Sequence, residues 1–104
     1  MKILYKSKKL EKILQNKHLI QKTYGSDKLS RIVLRFEQLS NAESLQDIAS
    51  LKNADLHPLY GNYKDHFAVK ITGNYRLIFK PMTGENNLLS SITIIKIEKI
   101  EDYH

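Results

Sequence analysis

A chain of 104 residues without cysteine can form neither disulfides nor thiolate metal sites, so packing alone must hold its fold. Its composition, 41% hydrophobic and 27% charged residues, is that of a globular protein and excludes general disorder. Lysine and arginine number 17 against 11 aspartate and glutamate, for a net charge of +6, which favours a polyanionic partner but also occurs in domains that are basic simply for solubility.

The hydropathy pattern excludes two classes of protein. Residues 1–6 hold a charge but no apolar run long enough for a signal peptide, and no stretch approaches the roughly 20 apolar residues of a membrane span. We therefore expect a cytoplasmic protein. Because no repeat, linker or low-complexity tract interrupts the chain, residues 1–104 are expected to form a single domain.

The first quarter of the chain predicts a strand followed by a helix. Residues 1–6 alternate imperfectly and are predicted to form a short strand. Ser7 can cap a helix that runs to about Asn16. The segment 17–25 is compatible with a helical tail followed by a turn.

The clearest helix follows, with Ser26 or Asp27 as its predicted N-cap. Its apolar residues recur at the spacing of one helical face: Leu29, Ile32, Val33, Phe36 and Leu39. Its basic residues are expected on the other flank: Lys28, Arg31 and Arg35. A short further helix is predicted around residues 42–49.

From Asp55 onward the period changes from helical to alternating. Strands are predicted at 56–59, 66–72, 75–80 and 88–100, with a tight turn at 72–74 and a loop at 81–87. Helices followed by short-looped strands predict an α+β fold, in which the helices pack on one face of a mainly antiparallel, twisted sheet. The N-terminal strand is expected at an edge of that sheet.

Two residues of the strand half are suited to acid–base and phosphate chemistry. His57 precedes Pro58, which stiffens the chain. A fixed imidazole is the commonest general acid or base near neutral pH, although an isolated histidine at a strand end is more often a surface residue. Arg76 opens an apolar strand whose neighbours Tyr75 and Leu77 must point to the opposite face, and its guanidinium can hold a phosphate with two hydrogen bonds.

The last residues form a third candidate cluster. A final tetrapeptide is usually frayed, but this one follows a β-branched strand that is expected to pair firmly. Asp102, Tyr103 and His104 together can orient, donate and accept protons.

Three motifs in order resemble the HigB branch of the RelE/ParE toxin superfamily. They read His57-Pro58-Leu59-x-Gly61, then Asn74-Tyr75-Arg76-Leu77-x-Phe79, and finally Asp102-Tyr103-His104. That branch typically reads Leu-His-Pro-Leu-Lys-Gly, Asn-Trp-Arg-Ile-x-Phe and Asp-Tyr-His. The lysine of the first motif is replaced here by Tyr60, and Lys64 and Lys70 are the candidate RNA-binding cations in its place, together with Arg76.

The resemblance implies a RelE-like fold and the toxin of a type II toxin–antitoxin pair. It implies an mRNA endonuclease acting on the translating ribosome and neutralised by a HigA-like helix-turn-helix antitoxin, with which it forms a hetero-oligomer. By matching position, the resemblance assigns the catalytic set to His57, Asp102, Tyr103 and His104, and the phosphate contact to Arg76. Cleavage through the RNA 2′-hydroxyl needs no metal, and the sequence has no carboxylate cluster suited to magnesium, so neither metal nor cofactor is expected.

Two other functions remain compatible with the sequence. A ParE-like inhibitor would bind DNA gyrase and catalyse nothing, but it would have no need of His57 or of the terminal motif. A degenerate, non-catalytic nucleic-acid-binding module is kept open by Tyr60, because that residue removes one cation from the expected site.

Overall fold

The α+β fold predicted from the sequence is confirmed by a computed structural model that describes residues 1–102. The helical half contains β1 (Lys2–Tyr5), α1 (Lys8–Leu14), α2 (Lys17–Tyr24), α3 (Ser26–Asn41) and α4 (Leu45–Ala49). The strand half contains β2 (His57–Pro58), β3 (Phe67–Lys70), β4 (Tyr75–Pro81) and β5 (Ile94–Asp102). Single 3₁₀ turns lie at Lys52–Ala54, Gly61–Tyr63 and Leu89–Ser91.

Side-chain caps explain where the first two helices begin. The Ser7 hydroxyl accepts a hydrogen bond from the Leu10 amide, as predicted, and the Asn16 side chain accepts one from the Leu19 amide. The second cap makes residues 17–24 a complete helix. Neither Ser26 nor Asp27 caps α3: the N-cap is Gly25, whose φ of 103° suits glycine, and no side chain bonds to it.

The strands of residues 1–102 form one sheet in the order β1-β5-β4-β3-β2. β1 pairs with β5 in parallel and lies at one edge, whereas the other pairs are antiparallel. β2 forms the opposite edge. His57 therefore lies on a two-residue edge strand, which leaves its outer side open.

The core lies between the helices and one face of the sheet. Alternate residues of the three inner strands are buried on that face: Phe67 and Val69, Leu77 and Phe79, Ile95 and Ile97. Ile32 and Leu39 of α3 pack against them, and the rings of Phe67 and Phe79 stack at 6.3 Å. This apolar layer fixes which residues of each strand point to the other face.

Arg35 does not lie on the solvent flank of α3, as its spacing suggested, because it is only 3% exposed. Its guanidinium donates to the carbonyl oxygens of Lys70 (2.7 Å) and Asn53 (2.6 Å) and to the Gln38 side chain (3.1 Å). Burial lowers the pKa of Arg35, with Arg31 adding a like charge. The arginine is buried because it ties α3 to the end of β3 and to the chain entering β2.

The last strand is shorter than predicted. β5 begins at Ile94 rather than Leu88, because residues 89–91 form a 3₁₀ turn. Gly84, with a φ of 73°, lies against Ser91, and a Cβ there would collide with the Ser91 carbonyl. Further along, the pairing of β4 with β5 shifts between Ile78 and Phe79, which leaves Glu98 as a bulge.

Candidate functional site

The face of the sheet that the helices leave open is rich in charged side chains. Directly paired residues share a face, and Arg76 of β4 is paired with Lys70 of β3 and Glu101 of β5. In the next row, Ala68 pairs with His57 and with Ile78, which pairs in turn with Lys99. The register therefore brings His57 and Arg76 to the same face, 19 positions apart in sequence.

A cleft of about 440 Å³ lies on this face and contains both predicted residues. We call it the His57 cleft; it is lined by His57, Pro58, Leu59, Tyr60, Tyr63, Ala68, Arg76, Ile78 and Glu101. Ala68 and Ile78 are buried and form an apolar floor. Charged and ionisable groups thus stand around an apolar floor, where electrostatic interactions are stronger than in bulk solvent.

The orientation of His57 is set by the backbone two residues earlier. Its Nδ1 lies 2.8 Å from the carbonyl oxygen of Asp55. Because a carbonyl only accepts, Nδ1 must carry the proton, and Nε2 is the nitrogen left to exchange protons. Asp55 has a φ of 48°, in the left-handed region that aspartate tolerates better than most residues, and this turn delivers the carbonyl to the ring.

Arg76 lies between cations and carboxylates on the open face. One guanidinium nitrogen, Nη1, donates to the Thr72 carbonyl at 3.4 Å, which joins the arginine to the turn after β3. Lys70 is its partner on β3 and Glu101 its partner on β5. The predicted cations Arg76 and Lys70 therefore meet in one row, and Arg76 lines the cleft.

Lys99 is a cation of this face that sequence reasoning missed. Its Nζ lies 2.8 Å from Glu101 Oε1 and 5.4 Å from the centre of the Tyr63 ring. The hydrogen bond to Glu101, followed by that to Tyr63, raises the pKa of Lys99 and keeps it protonated. Because Glu101 and Tyr63 both line the cleft, Lys99 places a positive charge next to two of its lining residues.

The register puts Asp102 in a different row of the sheet from Arg76. Asp102 pairs with Tyr75, on the face that the helices cover, and it does not line the His57 cleft. The bulge at Glu98 is the physical reason, because one extra residue inverts the alternation of β5 beyond it. The carboxylate that the register does bring to Arg76 is Glu101. Tyr103 and His104 lie outside the described residues.

Lys64 lies beside a second cleft of about 450 Å³, on the other side of the segment 58–60. We call it the Asn86 cleft; it is lined by Pro58, Leu59, Tyr60, Lys64, Asp65, His66, Phe67, Asn86 and Leu89. The structure therefore separates Lys64 from Arg76 and Lys70, with which it was grouped as an RNA-binding cation.

His66 was not singled out in the sequence. Its Nε2 lies 3.4 Å from Glu98 Oε1, and Lys6 and Lys96 also contact that carboxylate. A histidine at the start of a predicted strand has no sequence feature that separates it from a surface residue. Glu98 follows the core-facing Ile97 and His66 precedes the core-facing Phe67, so both point to the open face.

Within residues 1–102 no three histidine or carboxylate side chains come close enough to share a metal ion. No helix of the described part of the chain is long and apolar enough to cross a membrane.

The fold is shared with solved toxin structures. A point mutant of YafQ from E. coli superposes with a TM-score of 0.61 at 18% identity, covering 96% of this chain and 90% of that one. YafQ from E. coli strain BL21(DE3) gives 0.60 at 17% identity with the same coverage. A YoeB/ParE toxin from Agrobacterium tumefaciens gives 0.60 at 12% identity, covering both chains completely. These likenesses define the RelE-like class of fold.

The family of the chain is identified by a match between its sequence and a family model. The model of the family described as "RelE-like toxin of type II toxin-antitoxin system HigB" matches residues 4–94, and the chain therefore belongs to the HigB-like toxin family. No curated protein sequence matches it. Membership in a type II toxin–antitoxin family implies an antitoxin partner.

Proposed function

We propose that this toxin is an endoribonuclease that cleaves mRNA on the translating ribosome and so stops translation and growth. The observation that carries the proposal is the His57 cleft, where an imidazole with a fixed tautomer and an arginine share an apolar floor. Neither a gyrase inhibitor nor a passive binding module requires a histidine oriented in this way. The family supports the toxin role, and the cleft supports the chemistry.

The proposed reaction uses the RNA itself as the nucleophile. One imidazole removes the proton of a 2′-hydroxyl, and the 2′-oxygen forms a bond to the neighbouring phosphorus. The bond from phosphorus to the 5′-oxygen then breaks, and a second side chain, acting as the general acid, gives that oxygen a proton. The products are a 2′,3′-cyclic phosphate and a free 5′-hydroxyl, and the scheme requires no metal and no cofactor.

Each part of this reaction has a proposed residue. His57 exchanges a proton through Nε2, and Arg76 stabilises the charge that grows on the phosphorane. His104 is the proposed second proton-transfer group, and Tyr103 the proposed contact to the phosphate or a base. Asp102 was expected to orient an imidazole, and its pairing with Tyr75 makes Glu101 the better candidate for the carboxylate of the cleft.

The proposed function implies two partners, an antitoxin and RNA. The antitoxin is proposed to be a HigA-like helix-turn-helix protein that forms a hetero-oligomer with the toxin. RNA is proposed to lie along the open face, where Lys70, Arg76 and Lys99 supply cations in adjacent rows of the sheet. Lys64 is proposed to contact RNA from the rim of the Asn86 cleft.

The proposal is tested by cleavage of an mRNA bound to purified ribosomes. His57→Ala and a chain stopped after Tyr103 are each expected to cleave about 10²–10⁴-fold more slowly than the wild type, the usual contribution of one acid–base group. His18→Ala is the matched control, because His18 is exposed on α2 and should leave the rate unchanged. Full activity in both variants would contradict the proposed roles, and DNA damage without mRNA cleavage would favour gyrase inhibition.

A further inference from the structure

Among the large hydrophobic side chains of residues 1–102, Tyr60 is the most exposed to solvent. It is 81% exposed, although an aromatic ring contributes a large apolar area when it is buried. It belongs to the wall of both clefts, since Pro58, Leu59 and Tyr60 line the His57 cleft and the Asn86 cleft alike. An exposed ring at the boundary of two clefts is positioned to contact a ligand that occupies both.

The Asn86 cleft has the properties of a binding site for a flat, partly apolar group. Its volume of about 450 Å³ lies within the range of about 300–1,000 Å³ typical of small-molecule sites. Its walls are apolar where Pro58, Leu59, Phe67 and Leu89 contribute, and Lys64, Asp65, His66 and Asn86 supply polar groups. The proposed reaction uses none of these polar groups as a catalyst.

We propose that the Asn86 cleft holds the nucleobase next to the scissile phosphate, and that this base stacks on the ring of Tyr60. The inference rests on the proposed function, because it places the RNA strand across the segment 58–60 with the reacting phosphate in the His57 cleft. Single-stranded RNA is recognised mainly by stacking unpaired bases on aromatic rings, and every base offers a face for such stacking.

The charges around the two clefts suit an RNA strand. Lys64 contributes a cation beside the second cleft, and Arg76 contributes one beside the first, so phosphates on both sides of the stacked base can be neutralised. Asn86 offers both a donor and an acceptor, the combination needed to read the edge of a base. Asp65 adds an acceptor for an exocyclic amino group.

A double-mutant cycle isolates the stacking contact: the Tyr60 ring and one RNA base are removed separately and then together. The cleavage position is first mapped on a ribosome-bound mRNA. The mRNA is then made with an abasic site at each neighbouring nucleotide in turn. Wild type and Tyr60→Ala are compared on every substrate, and kcat and KM are measured separately. Because any effect of the abasic site on the ribosome is common to both proteins, it cancels in the cycle.

Removing one of the two neighbouring bases is expected to raise KM of the wild type about tenfold, within the range of about 1–3 kcal/mol measured for stacking of one base. Tyr60→Ala should raise KM by the same factor on the intact mRNA and raise it little further on the abasic mRNA. Tyr60→Phe, which keeps the ring, should behave as the wild type. An exposed residue should tolerate both substitutions, and thermal unfolding checks this.

The outcomes separate the inference from the proposed function. If the wild type cleaves and Tyr60→Ala remains as sensitive to base removal as the wild type at both neighbouring positions, the stacking inference is wrong and the nuclease proposal stands. If the wild-type chain leaves ribosome-bound mRNA intact, the proposed function is wrong and the inference fails with it.

Discussion

The orientation of His57 depends on one backbone oxygen, that of Asp55. A side-chain orienter can be lost by mutation at its own position, whereas a carbonyl is retained as long as the turn is formed. The 2.8 Å contact to the Asp55 carbonyl and the left-handed conformation of Asp55 therefore act together. The strained turn at Asp55 fixes the tautomer of His57.

The two neighbouring carboxylates of β5 provide a residue-scale prediction. Glu101 pairs with Arg76 and binds Lys99, whereas Asp102 pairs with Tyr75 on the other face. Glu101→Gln should lower the rate of mRNA cleavage about tenfold, because Lys99 loses the carboxylate that binds it and the row of Arg76 loses its negative charge. Asp102→Asn should change the rate less than twofold. Single-turnover cleavage rates of the two variants measure the difference. A larger loss of rate in Asp102→Asn than in Glu101→Gln would make Asp102 the carboxylate of the site.

At the scale of elements, α3 is attached to the strand half through Arg35. Its two bonds to backbone carbonyls reach Lys70, at the end of β3, and Asn53, two residues before Asp55. The same side chain therefore holds the strand that carries Lys70 and the turn that orients His57. The buried guanidinium is tolerated here because three acceptors satisfy its N–H groups.

Arg35→Met should lower the free energy of unfolding by about 2–4 kcal/mol, because the three hydrogen bonds of the buried guanidinium are lost. Arg31→Met, on the exposed side of the same helix, should change it by less than about 0.5 kcal/mol. Urea unfolding followed by circular dichroism gives both values. Equal small losses in the two variants would contradict the structural role of Arg35.

The order of the elements was predictable from the sequence, but some register and burial were not. The alternation on which the strand at 66–72 was predicted is present in the structure, where Phe67, Val69 and Ile71 are at most 4% exposed. The bulge at Glu98 left no comparable sign, because a bulge depends on how two strands pair rather than on one residue type. The sequence therefore predicted a last strand at 88–100 that overlaps β5, but not which residues of β5 share a face with Arg76.

At the scale of the whole molecule, the net charge of +6 is partly collected on the open face of the sheet. The register turns to that face Lys70, Arg76, Lys80, Lys96 and Lys99. Composition alone left nucleic acid and simple solubility equally open, since a count does not say where charges lie. We propose that this basic face attracts and aligns RNA.

The central claim is that this toxin cleaves RNA through its own 2′-hydroxyl, with His57 as a proton-transfer group. The most direct measurement places one 2′-deoxynucleotide on the 5′ side of the mapped scissile bond and follows cleavage on purified ribosomes. We predict that the deoxy substrate stays intact and that the ordinary RNA yields a 2′,3′-cyclic phosphate. Cleavage of the deoxy substrate at the ordinary rate, with a 3′-hydroxyl product, would contradict the account.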